Sequence, residues 1–487
     1  MQKQDISLDT SVQFSYLSDK KKSLIFSQAM ETLQYTGAEI HHEGARDLLG
    51  RNECSVKGKR VYIPSQLVHW CLHKVPPITT VHRWDRSSRI RIEPYRSHFG
   101  PGPTCPNFID PYTWKRRRYV KQDAADVARI CDALPEMDFV MSLGSISDVT
   151  DGLEEIYEFA EMIQESSKPI IAWCYSRQHC AYIHEIASAV AGGQDELRHK
   201  PLYFFYNEPV SPLTCDFNSV DKLLYCAKHG IPQIFAPANT SGATVPATHA
   251  AHLVVTLAES LIGVVLSQLQ RPGACIIIGG TQSILDMRRM VFSYGAPELS
   301  ILSLCLTELA DYIRLPVFVA GGCSDSKTTN SQAALEATFS LHSALLSGAN
   351  LVHDAGFLES GMTGSVFQLV LADEVLSMGR QIIRGISLQD LPDALEEIHK
   401  LGPGGNHSQT MFSKERSQDF WQPRFMERRS YKAWREDGCK RMRDRIQEYI
   451  LHLLQERASR RDELSAQVRD SIQDILQRAE VNKAQKT

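Results

Sequence analysis

The sequence has no C-x-x-C pair; its twelve cysteines, from Cys54 to Cys439, are scattered singly. Structural zinc sites draw on ligands at short, repeated spacings, so none is expected, and a long intracellular chain gives no reason to expect disulfides. Histidines do not gather with the cysteines near any one strand end either, so no bound metal is expected. The amino terminus, MQKQDISLDTSVQFSYLSDKKK, lacks the apolar segment of a signal peptide. No stretch approaches the ~20 apolar residues of a membrane span, and the expectation is a cytoplasmic protein without membrane contact. With a formal net charge of −4 and interspersed acids and bases, no global field exists to hold nucleic acid. A small-molecule substrate is favoured. The run Lys115-Arg116-Arg117-Arg118 reads as a solvated face rather than a docking patch. No G-x-S-x-G elbow is present, which removes the usual frame for serine acyl transfer. Gly321 to Thr328 half-matches a phosphate loop, but Ser326 stands where the second glycine belongs, which argues against nucleotide binding.

What is present is an ordinary globular composition, 43% hydrophobic and 23% charged over 487 residues. From about residue 97 short apolar runs alternate with longer amphipathic stretches, the pattern of parallel β/α units. Eight runs are counted: Ser97 to Gly100, Phe139 to Leu143, Pro169 to Cys174, Leu202 to Tyr206, Gln233 to Ala236, Cys275 to Ile278, Pro316 to Ala320 and Asn350 to His353. Helical segments between them include Leu153 to Ile163, His252 to Gln268, Pro297 to Tyr312 and Ser331 to Leu346. A doubly wound open sheet would alternate in the same way; the count of eight favours closure. The expected fold is therefore α/β, a (β/α)8 TIM barrel with an N-terminal helical cap and a C-terminal helical extension. The boundaries are 1–95 for the cap, 96–400 for the barrel and 401–487 for the extension. In the extension a charged helix from Tyr431 to about Gln477 carries the stripe Ile446, Ile450, Leu453 and Leu454, which packs on the barrel or on another subunit, so a homo-oligomer stays open.

In a barrel the residues just after each strand face the active site. Here they are glycine, aromatic and neutral polar groups: Trp173-Cys174-Tyr175, Tyr206-Asn207-Glu208, Asn239, Thr281-Gln282, Gly321-Gly322 with Asp325, and His353-Asp354 with Phe357. Glycines let a ligand approach the backbone. His353 and Asn207 are the candidates for a catalytic role, His353 because it ends a strand; a satisfied core histidine is the alternative. Trp173, Tyr175, Tyr206, Asn239, Thr281, Gln282, Gly321, Gly322, Asp325 and Phe357 are the candidates for substrate binding. Aromatic faces without an evident general base suit a quaternary ammonium, which accepts no hydrogen bond and is recognised by cation–π contacts; core packing explains any one of the aromatics equally well.

Three ordered segments, AGGCSDSKTTNSQAALEATFS, HDAGFLESGMTGSVFQLVLADEVL and GPGGNHSQTMFSKERSQDFWQPRFMERRSYKAWREDG, resemble the trimethylamine methyltransferase superfamily. The resemblance implies a (β/α)8 barrel that passes a methyl group from a methylamine to the Co(I) of a separate corrinoid protein, as in methanogenesis-type one-carbon metabolism. Archetypal members carry pyrrolysine, whereas every position here is one of the twenty common residues. The sequence therefore looks like the non-pyrrolysine branch, whose substrates are quaternary amines: glycine betaine first, giving dimethylglycine, with proline betaine or carnitine as alternatives. Asn239, Thr281, Gln282 or His353 would then supply donors to a betaine carboxylate. No cofactor is expected to be held tightly by this chain; the corrinoid (cobalamin) comes from a cognate partner protein or from solution. A different barrel enzyme and a non-catalytic betaine-binding barrel are the remaining readings.

Overall fold

The computed structural model describes residues 14–386, 388–456 and 460–485. The leader reading of the amino terminus thus lies in part, at residues 1–13, outside the described residues. Seven strands form one parallel sheet: β1 (His98–Pro101), β2 (Ile170–Ala172), β3 (Tyr203–Asn207), β4 (Gln233–Phe235), β5 (Ile276–Gly280), β6 (Val317–Ala320) and β7 (Leu351–Ala355). They run in the order β1-β7-β6-β5-β4-β3-β2, a half-barrel with helices on its outer side. Nearly all strand residues are buried, as continuous apolar runs such as VFVA require when both faces are covered. Inward side chains from the staves, among them Ile171, Phe204, Ile234, Ile277, Phe318 and Leu351, meet in one interior cluster.

Residues 139–143, expected as the second strand, do not form a strand of this sheet. They make one parallel bridge, Val140 to Ile170 of β2. With Asp138 they also reach β1: Asp138 N–H donates to Phe99 O at 2.6 Å and Leu143 N–H to Gly102 O at 2.8 Å. Leu143 itself has φ 64°, which breaks the strand where the chain turns over the mouth.

The helices that cover the sheet are α1 (Lys121–Ala133), α2 (Glu154–Glu165), α3 (Arg177–Ala191), α4 (Phe217–His229), α5 (His249–Gln270), α6 (Pro297–Tyr312), α7 (Ser331–Ser347) and α8 (Val366–Ile383). Local chemistry fixes their ends. Asn330 accepts from Ala333 N to cap α7, and Gly348 at φ 75° stops it. Contrary to the expectation that no span-length apolar stretch exists, α5 is long and apolar enough to cross a membrane by length and composition. It is a core helix, with most of its residues buried against the sheet and the amino-terminal layer.

Residues 14–95, expected as a helical cap, carry short strands as well as helices. Ala38–Ile40 pairs with Thr214–Cys215, tying this layer to the loop after β3, and the hairpin of Thr79–His82 with Arg89–Ile92 sends Val81, Ile90 and Ile92 into the interior cluster. The carboxyl-terminal segment is not one helix. It divides into Tyr431–Glu436, α9 (Met442–Glu456) and α10 (Ala466–Ala484), broken by Gly438 and Cys439 with positive φ. Ile446 and Ile450 are fully buried, and α9 packs on α1 and α8 of the same chain. The basic run is a strand, Arg116–Arg118, paired with Asn107–Ile109; Arg116 contacts Glu359, and Arg117 contacts Asp110 and Asp123.

Candidate active site

The carboxyl ends of β3 and β7 bring the chemistry together. On β3 the side chains alternate, so Phe204 lies in the interior cluster and Tyr206 packs against it, while Tyr203 and Phe205 belong to the outer core. His353 of β7 stacks on Phe318 of β6 with ring centroids 3.9 Å apart and planes 2° from parallel. Tyr206 stands 5.5 Å from Phe318 and 6.4 Å from His353, closing an aromatic floor.

Two carboxylates face this floor. Tyr206 donates its hydroxyl to Glu208 Oε2 at 2.6 Å. Glu208 keeps solvent-accessible surface yet is surrounded by protein, as a side chain lining a recess must be, and burial pushes its carboxyl up. Asp354 lies 2.6 Å through Oδ1 from His353 Nδ1, and both side chains are almost fully buried. Alternation alone would turn Asp354 outward. The ladder between β7 and β1 is irregular between Val352 and Ala355, and Asp354 takes φ 76° there, a bulge that re-aims the carboxylate. Non-glycine residues hold such a conformation only where the surroundings compel it. Gly102, just past β1, makes room: a Cβ there would stand 2.2 Å from Asp354 Oδ1 and 2.5 Å from Phe357 Cζ. His353 Nε2 and Asp354 Oδ2 are buried without a hydrogen-bond partner.

A third wall comes from the loop after β5. Tyr294 packs edge-on to Phe357 at 6.2 Å, and its phenol is pushed well up by burial and then by the Asp354 charge. Asp325 sets this wall, accepting from Ser293 Oγ at 2.5 Å, Tyr294 N at 2.7 Å and Ser360 Oγ at 2.8 Å. Glu336 holds Asp325 in turn through its backbone N–H at 2.9 Å.

Of the residues singled out in the sequence, His353, Tyr206 and Phe357 meet at this recess, with Asp325 behind it. Gly321 and Gly322 lie buried against Val352 and Ala355 of β7. Trp173 points its indole N–H at Glu158 Oε2, 3.1 Å away, and meets Tyr175 edge-on; Tyr175 is 60% exposed on the rim. Asn207 turns outward and donates to Ser219 O of α4 at 2.6 Å. Asn239 donates to Glu259 Oε2 at 2.7 Å and to Thr256 of α5. Gln282 accepts from His252 and Thr256 and donates to Pro237 O, so it too belongs to the layer between sheet and α5. Thr281 is buried beside it. Tyr294 was not singled out, and no sequence signal marks it, because a hairpin far from any strand end delivers it. Among the described residues, no three His, Cys, Asp or Glu are gathered as a metal site.

The chain matches the trimethylamine methyltransferase (MTTB) family over residues 3–483. It is 30% identical to the trimethylamine methyltransferase MttB of Desulfitobacterium hafniense strain DSM 10664 / DCB-2, covering 90% of this chain and 89% of that protein. To the glycine betaine methyltransferase of Desulfitobacterium hafniense strain Y51 it is 29% identical, covering 86% of this chain and 88% of that one. The crystal structure of the monomethylamine methyltransferase MtmB of Methanosarcina barkeri shares the α/β fold, with a TM-score of 0.52 at 12% identity over 93% of this chain and 91% of that one. The chain therefore belongs to the trimethylamine methyltransferase family and is an enzyme of methyl transfer.

Proposed function

We propose that this enzyme moves a methyl group from a quaternary amine to the Co(I) of a separate corrinoid protein, at the mouth of a closed (β/α)8 barrel. Residues 138–143 would be the eighth stave of that barrel, bonded to β1 on one side and β2 on the other. The described residues of the segments 1–95 and 401–487 then cover it, and the protein works in the cytoplasm, with α5 as a core helix and no membrane partner. The observation that carries the reading is the recess itself: aromatic faces of Tyr206, Tyr294 and Phe357 beside Glu208 and Asp354, a setting that captures a cation.

The chemistry asks little of acid or base. The C–N bond breaks with its electron pair going to nitrogen, and the Co–C bond forms from the Co(I) pair. The products are a neutral tertiary amine and methyl-Co(III), and no proton moves. Pyrrolysine is absent, and a quaternary nitrogen needs no prior activation because it already carries its charge. The chain's work is to strip water from the cation and to align one methyl group outward. Since the charge on nitrogen diminishes toward the transition state and is gone in the product, Glu208 and Asp354 serve capture rather than rate. The corrinoid arrives as a co-substrate, on its partner or free.

Incubation with a methyl-deuterated quaternary amine and a reduced corrinoid protein tests this. One tertiary amine should appear per methyl-Co(III). Binding of the amine without any transfer would instead favour the non-catalytic barrel.

A further inference from the structure

The recess has a charge count and a hydrogen-bond polarity, and both bear on which quaternary amine it takes. Its acids are Glu208 and Asp354. Lys222 of α4 turns away from them, its ammonium donating to Cys174 O at 2.6 Å on the outer side of the sheet. A monocation answers these two carboxylates. A betaine is a zwitterion, and it would set a third carboxylate beside the two already there.

The hydrogen-bond polarity points the same way. The Tyr206 hydroxyl is spent on Glu208. His353 Nδ1 is engaged by Asp354 Oδ1, and its Nε2 is buried without a partner. Asp354 Oδ2, also buried and unpartnered, is an acceptor. Leaving that oxygen unpaired costs about 1–3 kcal/mol, so a fitting ligand brings a donor to it. Two of the side chains expected to serve a betaine carboxylate, Asn239 and Gln282, are engaged with α5, and Asn207 is engaged with α4.

We infer that the substrate is a monocationic quaternary ammonium without a carboxylate and with a hydroxyl donor, of the choline type rather than a betaine. This rests on the quaternary-amine reading above and narrows it. Calorimetry on the full chain with choline, tetramethylammonium and glycine betaine tests the inference. Choline should bind at least about ten-fold more tightly than glycine betaine, the scale of one unpaired buried polar group, with tetramethylammonium between them. E208Q and D354N, each checked for an unchanged circular dichroism spectrum, should weaken choline by about ten-fold while sparing or improving glycine betaine. Choline and glycine betaine bound equally, or the betaine preferred, overturns the inference; so does a loss of affinity for both ligands alike in the two variants. The two readings fail separately in the transfer assay. Methyl transfer from glycine betaine but not choline refutes only this inference, whereas transfer from trimethylamine and from no quaternary amine removes the reading on which it rests.

Discussion

Replacing Glu158 by Gln should remove a pH-dependent part of the protein's stability. Glu158 lies in the first turns of α2, where Oε1 accepts from Ile146 N and Oε2 from the Trp173 indole, each at 3.1 Å. Burial, aided by the nearby Glu155 charge, raises its carboxyl from 4.5 to about 8 in spite of those bonds. Below pH 4.5 folded and unfolded chains both hold the proton, and the stabilising contribution of the protonated form is complete. Between 4.5 and about 8 the folded chain keeps a proton that the unfolded chain has released, so stability falls as pH rises, by up to about 1.4 kcal/mol per pH unit. The ceiling for the whole window is about 5 kcal/mol. Glutamine has nearly the same shape, still accepts from the indole and does not titrate. Denaturant unfolding of both proteins at pH 5, 6, 7 and 8 should show the wild type losing its advantage steadily, by several kcal/mol in all. A stability difference that stays constant from pH 5 to pH 8 would refute the reasoning, since it would mean that Glu158 is ionised in the folded chain throughout.

Gly102→Ala should destabilise the fold by about 1–3 kcal/mol, the range for overpacking, because Asp354 and Phe357 must both yield. Quaternary-amine affinity should drop at the same time; thermal melts and calorimetry on the same sample read both, and an unshifted melt would show that the Gly102 wall is looser than described. Tyr206→Ala should cost about 0.5–2 kcal/mol in cation binding, whereas Tyr175→Ala, on the rim, should cost nothing measurable. Equal effects at the two positions would contradict the placement of the recess.

Much of the sheet was legible because strands buried on both faces read as apolar runs: CIII, PVFVA and NLVH each fall within a residue or two of β5, β6 and β7. Helix α6 runs from Pro297 to Tyr312 as its proline start suggested. The segment at 139–143 looked like its neighbours but is curbed by the positive φ at Leu143, which apolarity does not encode. The site was legible by position and not by direction. His353 and Tyr206 were singled out because the apolar runs end on them; Asn207 was singled out one residue further on, yet it faces a helix, since a one-residue step reverses the side chain. Asp354 reverses that rule through a bulge, and no pattern in HDAGF announces one. The tail read as one helix because its periodicity persists across Gly438 and Cys439; the two positive φ values there divide it.

The central claim is methyl transfer from a quaternary rather than a tertiary amine, and the spectrum of cobalamin tests it most directly. Chemically reduced cobalamin, mixed anaerobically with the purified chain and either choline, glycine betaine or trimethylamine, reports transfer as loss of the Co(I) band and growth of methyl-Co(III). The account predicts conversion with a quaternary amine, dependent on the enzyme, and none with trimethylamine. Conversion with trimethylamine and with neither quaternary amine would contradict it.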